Sequence, residues 1–220
     1  MKIFGTATLA AALVALATTG ASAQPAECLA PAFDQPIIIE ARADGPGATV
    51  GGEGAARDAA LALSCAEAGV AGAQWNIGRM YINGWGVGLD LVAAEAWYRR
   101  AAEQGFAYAE VSLGVFLTQG EPTDAALVEA LMWFERGAYQ GISYAMMRTA
   151  EAYALGLGTP VDLTTAAMWY IVATGFDEDA ADEPLTQLQM TMQRGPFAEA
   201  EQRATAWADA WNAGLPMGPR

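Results

Sequence analysis

From Ala73 onward the apolar positions recur with the period of a helix. Ala73, Ile77, Met80 and Tyr81 share one face, which predicts a helix, and the run Asn83-Gly84-Trp85-Gly86-Val87-Gly88 breaks it. Asp90 then stands where a side chain caps orphan backbone N–H groups. Ala93, Ala94, Trp97, Tyr98 and Ala101 fill one broad face of a second helix until Gly105 stops it. The pattern returns along the chain. A shift of 36 residues superposes Trp97, Trp133 and Trp169, with Tyr98, Phe134 and Tyr170, Ala94, Ala130 and Ala166, and Ala73, Ala109 and Ala145 in phase. Three helix pairs follow, over residues 69–104, 105–140 and 141–176. Gly78 and Ala94 are expected to let two helix backbones approach closely, with Trp97 filling the space toward the next unit.

The ends read as caps. Gly54 to Ala68 predicts a lone helix whose Leu61, Cys65, Ala66 and Gly69 fall in register with the second helix of a unit. Residues 180–213 suggest a degenerate pair, Glu183 to Arg194 and Pro196 to Asn212, in which Trp207 stands two residues out of phase with Trp169. Residues 24–53, rich in Pro and Gly, read as an irregular arm in which Ile37-Ile38-Ile39 packs locally or forms a short strand. The tail from Gly214 is expected to fray. Helix pairs this short cannot bury their apolar faces alone, so neighbours must stack.

At these residues the chain resembles the Sel-one-like repeat (SLR), a relative of the tetratricopeptide repeat. Unit one carries Ala73, Ile77-Gly78, Tyr81, Gly84-Trp85-Gly86-Val87, Asp90, Ala94-Glu95-Ala96-Trp97-Tyr98 and Ala101-Ala102-Glu103-Gln104-Gly105. Unit two departs in its turn, Gly120-Glu121-Pro122-Thr123-Asp124. Unit three has Thr149-Ala150 in place of Leu-Gly but keeps Gly156-Leu157-Gly158 and Asp162. The resemblance implies an all-α fold, a right-handed α-α superhelix (solenoid) of about three full helix pairs with degenerate capping helices. It also implies a role in protein–protein interaction.

Residues 1–23 change the compartment. Met1-Lys2, the uncharged run Leu9 to Ala17 and the small-x-small site Ala21-Ser22-Ala23 predict a secretory signal peptide cleaved after Ala23. The run is too short for a membrane anchor, so a soluble periplasmic or secreted product starting at Gln24 is expected. In such a compartment Cys28 and Cys65, the two cysteines of the chain, are expected to form a structural disulfide.

Charge and composition narrow the chemistry. The 220 residues hold 25 acidic groups, 11 basic ones and no histidine, for a net charge of −14. Without imidazole there is no Ser-His-Asp or Cys-His machinery and no His zinc site. Lys2 is the sole lysine, so a Ser-x-x-Lys nucleophile is absent after cleavage. That removes the route by which secreted cysteine-rich SLR proteins, some associated with β-lactamase activity, would lend an activity here. An acidic surface repels nucleic acid and anionic lipid, and a basic protein partner fits it better, although solubility is a second reading of the same charge. No cofactor or metal is expected. Gly84 to Gly88 follows a helix and lacks the P-loop Lys, so it reads as a turn. The acidic run Asp177-Glu178-Asp179 with Asp182-Glu183 lacks the order of a calcium loop.

What remains is a surface. With Ile77 and Tyr81 in the core, the first helices offer Trp75, Val111 and Met147, Arg79, Val115 and Glu151, and Gly72, Tyr108 and Tyr144 to a concave groove. Trp75 and Met147 have a second reading, as packing between units. The expectation is a non-catalytic scaffold or adaptor of the cell envelope. The alternatives are an envelope enzyme or peptidoglycan-associated factor, a β-lactamase-like or glycan hydrolase protein using carboxylates such as Glu110 and Glu151, and a purely structural envelope protein.

Overall fold

The structure, a computed structural model, describes Cys28, residues 53–177 and residues 181–216. The predicted signal peptide, the arm apart from Cys28, the acids Glu178 and Asp179 and the last four residues lie outside the described residues. Among those described there are nine helices and no strand: α1 (Glu53–Glu67), α2 (Ala71–Asn83), α3 (Leu91–Glu103), α4 (Ala107–Leu117), α5 (Asp124–Tyr139), α6 (Ser143–Leu155), α7 (Leu163–Phe176), α8 (Asp182–Thr191) and α9 (Arg194–Asn212). The fold is all-α, a solenoid of paired helices, as the period requires. The chain falls into two compact units, which part at Leu113 and Gly114 within α4.

In the N-terminal unit α2 packs against both α1 and α3. The core is built from small residues around a few large ones. Ala59, Ala62, Cys65 and Ala66 of α1 meet Ala73, Ile77 and Met80 of α2, and Cys28 joins them through its disulfide to Cys65, the two Cα atoms 5.4 Å apart. Alanine at the crossing points lets backbones close in, and the close packing that results stabilises through many dispersion contacts. Gly78 shows how close. A Cβ there would lie 2.7 Å from the Tyr98 ring and 3.3 Å from the Ala94 carbonyl oxygen. Trp97 departs from expectation. It packs back onto the α1–α2 cluster and stays half-buried, with the Arg100 guanidinium 4.5 Å over its ring. Its position in the first full repeat explains this: among the described residues the preceding cap is a single helix, and the indole covers the apolar edge that a complete pair would hide.

In the C-terminal unit α6 lies between α5 and α7, and α7 carries both α8 and α9. Trp133 and Trp169 are buried. The Trp133 indole N–H donates to Glu129 at 3.2 Å, and Arg136 lies 4.8 Å over its ring, in phase with Arg100 over Trp97. Trp169 takes Tyr139 edge-on at 5.2 Å and Trp207 at 6.0 Å, so it joins the preceding second helix to the last one. The two-residue phase slip of Trp207 is absorbed because α9 docks directly on α7 through Ala200, Ala204, Trp207 and Ala208. Stacked on Trp211 at 5.3 Å and edge-on to Phe176, Trp207 closes the unit with an aromatic cluster.

Helix starts follow the sequence closely. Asp90 accepts from the backbone N–H groups of Val92 and Ala93, and Asp162 from that of Thr165. In the departing second unit Thr123 caps by accepting from Ala126 N–H. It stands three residues ahead of the position in phase with Asp90, so α5 gains three residues at its start.

Candidate functional site

The nine residues offered to a groove fall in both units, five in the N-terminal one and four in the C-terminal one. In the N-terminal unit Trp75 is 6% exposed, so of its two readings the structure favours packing. Its indole N–H donates to Ser112 Oγ at 2.8 Å, and its rings meet Phe106 and Tyr108 at 5.9 and 5.7 Å. Ser112 in turn donates to the Tyr108 carbonyl at 2.7 Å, which fixes the first turn of α4. Arg79 lies 4.9 Å over Trp75 and 5.8 Å over Trp85. The result is a continuous series Trp85, Arg79, Trp75, Tyr108, of which Tyr108 is exposed and Trp85 and Arg79 half-buried. Val111 is half-buried on the same helix as Tyr108. Gly72, also offered to the groove, is buried. Beneath them, burial pushes the Tyr98 hydroxyl up to about 12, against the opposing charge of Arg79.

Sequence reasoning missed Trp85, Phe106 and Ser112. Trp85 sits inside a turn read as purely structural, and the turn is structural: Trp85 N–H donates to the Met80 carbonyl and Asp90 N–H to that of Tyr81. An aromatic side chain on such a turn was the available signal. Ser112 left none, since its role depends on the tryptophan one repeat earlier.

In the C-terminal unit Tyr144 is exposed, while Val115, Met147 and Glu151 are half-buried. Glu151 pairs with Arg148, whose guanidinium lies 5.7 Å over Phe134. Arg148, Glu151, Phe134, Leu131, Thr118 and Leu157 line a cavity of about 10 Å³, room for a single water. One turn further, the Tyr153 hydroxyl donates to Glu135 at 2.8 Å. Burial first, and that hydrogen bond second, hold Tyr153 well above the usual tyrosine range.

Chemically these surfaces offer aromatic faces, guanidinium forks and aliphatic edges, the types that anchor protein interfaces. Among the described residues no group of three or more Asp, Glu or Cys is placed to hold a metal. Of the carboxylates considered for hydrolysis, Glu110 is 0% exposed and has no path to a substrate, and Glu151 is engaged by Arg148.

Comparison with known families resolves the repeat. The Sel1 repeat matches residues 71–106, 107–142 and 143–174, frames that begin with α2, α4 and α6. Residues 71–174 belong to the Sel1 repeat family. Among solved structures, a Sel1 repeat protein from Oxalobacter formigenes is similar, with 28% identity and a TM-score of 0.57 over 69% of this chain and 64% of that one. A protective antigen of uropathogenic Escherichia coli with an SLR fold is 22% identical, with a TM-score of 0.41, over 74% of this chain and 44% of that one. The chain thus spans less than two thirds of either structure's length. Comparison with curated proteins gave no match.

Proposed function

We propose that this Sel1 repeat chain is an exported scaffold of the cell envelope that binds a protein partner through the first-helix faces of its repeats, without catalysis. The observation that carries the reading is the run of three Sel1 repeats, whose first helices present Tyr108 and Tyr144 to solvent at one repeat position. In the N-terminal unit Trp75 stiffens its face from beneath, with Arg79 and Val111 partly buried; in the C-terminal unit Val115, Met147 and Glu151 are partly buried. A net charge of −14 favours a basic partner. Export rests on residues 1–23 and agrees with a disulfide between Cys28 and Cys65.

Two measurements test it. Intact-mass analysis of protein recovered from the periplasm or medium should give a chain beginning at Gln24; a product retained in the cytoplasm with its first 23 residues contradicts export. A photoreactive residue placed at position 108 or 144 in living cells should cross-link to one defined protein, while the same residue at exposed Glu199 should not. Equal labelling from all three positions contradicts the assignment of the face.

A further inference from the structure

A second surface lies at the C-terminal end of α6 and the turn that follows it, within the C-terminal unit. Leu155, Val161 and Val128 are 62%, 60% and 55% exposed, and Met132 and Leu163 are exposed as well. They come from α5 and from the α6–α7 turn with the two helix ends that flank it, which the backbone holds together. A Cβ on Gly158, in the α6–α7 turn, would lie 2.4 Å from the Leu127 carbonyl oxygen and 2.7 Å from Val128 N, so this turn rests directly on the first turns of α5. A Cβ on Gly156 would lie 3.0 Å from Val161 Cγ2, which fixes Val161 against the same turn. Met132 continues the Val128 face one helical turn on. Exposed apolar patches of a few hundred Å² rimmed by polar groups mark interaction sites on single chains.

The rim specifies the occupant. Residues 120–132 and 155–165 contain Glu121, Asp124, Glu129 and Asp162 and no Arg or Lys. Glu121, Asp124 and Asp162 are exposed at its edge. Arg203 approaches by donating to Thr165 Oγ1 at 3.2 Å. A second copy of a chain with net charge −14 would bring these same carboxylates together across a two-fold axis, and an anionic bilayer would be repelled. We propose that the α5 and α6–α7 turn patch is a docking site for a basic amphipathic helix, its aliphatic stripe on Val128, Leu155 and Val161 and its Lys or Arg groups against Asp124 and Glu121. Val128 and Val161, unlike Leu155, lie outside the first helices.

The probe is a fluorescein-labelled 18-residue helix of Leu and Lys with Leu at i, i+3, i+4 and i+7 spacing, titrated with the full chain by anisotropy at 50 and 300 mM NaCl. Val128→Ser with Leu155→Ser should weaken binding about tenfold or more. Asp124→Asn should weaken it at low salt and flatten its salt dependence. Tyr144→Ala should leave it unchanged. Circular dichroism checks the fold of each variant, and Leu155→Ser alone carries the test if the double variant does not fold. Unchanged affinity in the serine variants, equal binding of a Leu and Glu counterpart peptide, or loss of binding with Tyr144→Ala would overturn the proposal.

Discussion

At the scale of single residues, one atom decides whether a helix pair closes. Gly78 stands where a Cβ would enter the Tyr98 ring, and Gly114 where it would lie 2.7 Å from that of Phe134. The third repeat carries Ala150 at the same phase, wholly buried, so the position tolerates a methyl only where its surroundings have adjusted. Gly78→Ala should therefore destabilise by about 1–3 kcal/mol despite its better helix propensity, read as a shift in urea midpoint; a variant as stable as the parent would show the contact to be slack. A second residue-scale comparison concerns Gln74 and Glu110, in phase by 36 residues. The Gln74 side chain donates to the Ala66 carbonyl at 3.0 Å and accepts from Gln104 at 2.7 Å. Glu110 occupies the same slot with no exposure, and a buried carboxyl costs more to desolvate than an amide. Gln74→Glu should lower the thermal midpoint by about 2–5 °C, since it buries a carboxyl and removes the donor to the Ala66 carbonyl. Calorimetry checks it, and an unchanged midpoint sinks the comparison.

Whole elements depend on their ends. Among the described residues the first helix, α1, has no paired helix before it, and it is held by Cys28 and by the cluster with Ile77 and Met80. Cys28→Ser should cost about 4 kcal/mol, since a loop closed by residues 37 apart then regains its freedom in the unfolded chain. Chemical denaturation of the oxidised parent and the variant measures it; equal midpoints would mean that packing alone fixes α1. The start of α7 offers a pH-dependent counterpart. Burial tends to raise the Asp162 pKa, but the hydrogen bonds from the Thr165 hydroxyl and from the Thr165 and Thr164 backbone N–H groups outweigh it, helped by Arg203, so the net position is below the usual carboxylate value. The folded state then takes up this proton less readily than the unfolded one. Stability from Asp162 is complete above the ordinary carboxylate pKa and is lost as pH falls through the lower folded value. Asp162→Ala should cost about 1 kcal/mol at pH 7 and progressively less toward pH 2. A cost that stays constant with pH would assign the effect to lost packing.

For the molecule as a whole, the period of 36 residues carried nearly all of the fold, because apolar phase is imposed by burial and burial repeats with the helix pairs. Ala73, Ala109 and Ala145, each with no exposure, were legible for that reason. The candidate surfaces were less so. Whether Trp75 faces solvent depends on Phe106, Tyr108 and Ser112 arriving from the next repeat, a relation that no single repeat encodes. The exposed patch of Val128, Leu155 and Val161 was equally invisible, since it arises from a turn resting on a helix start and not from phase. Charge acts at this scale alone. With 25 acidic groups against 11 basic, the folded chain repels itself more strongly than the expanded unfolded one. Added salt should relieve that repulsion over distances beyond about 10 Å while leaving short pairs such as Arg99 with Glu95, at 2.9 Å, little changed. The thermal midpoint at pH 7 should therefore rise by a few degrees between 10 and 300 mM NaCl, followed by circular dichroism. A midpoint that falls with salt would mean that local ion pairs outweigh the net charge, and the preference for a basic partner would lose its electrostatic footing.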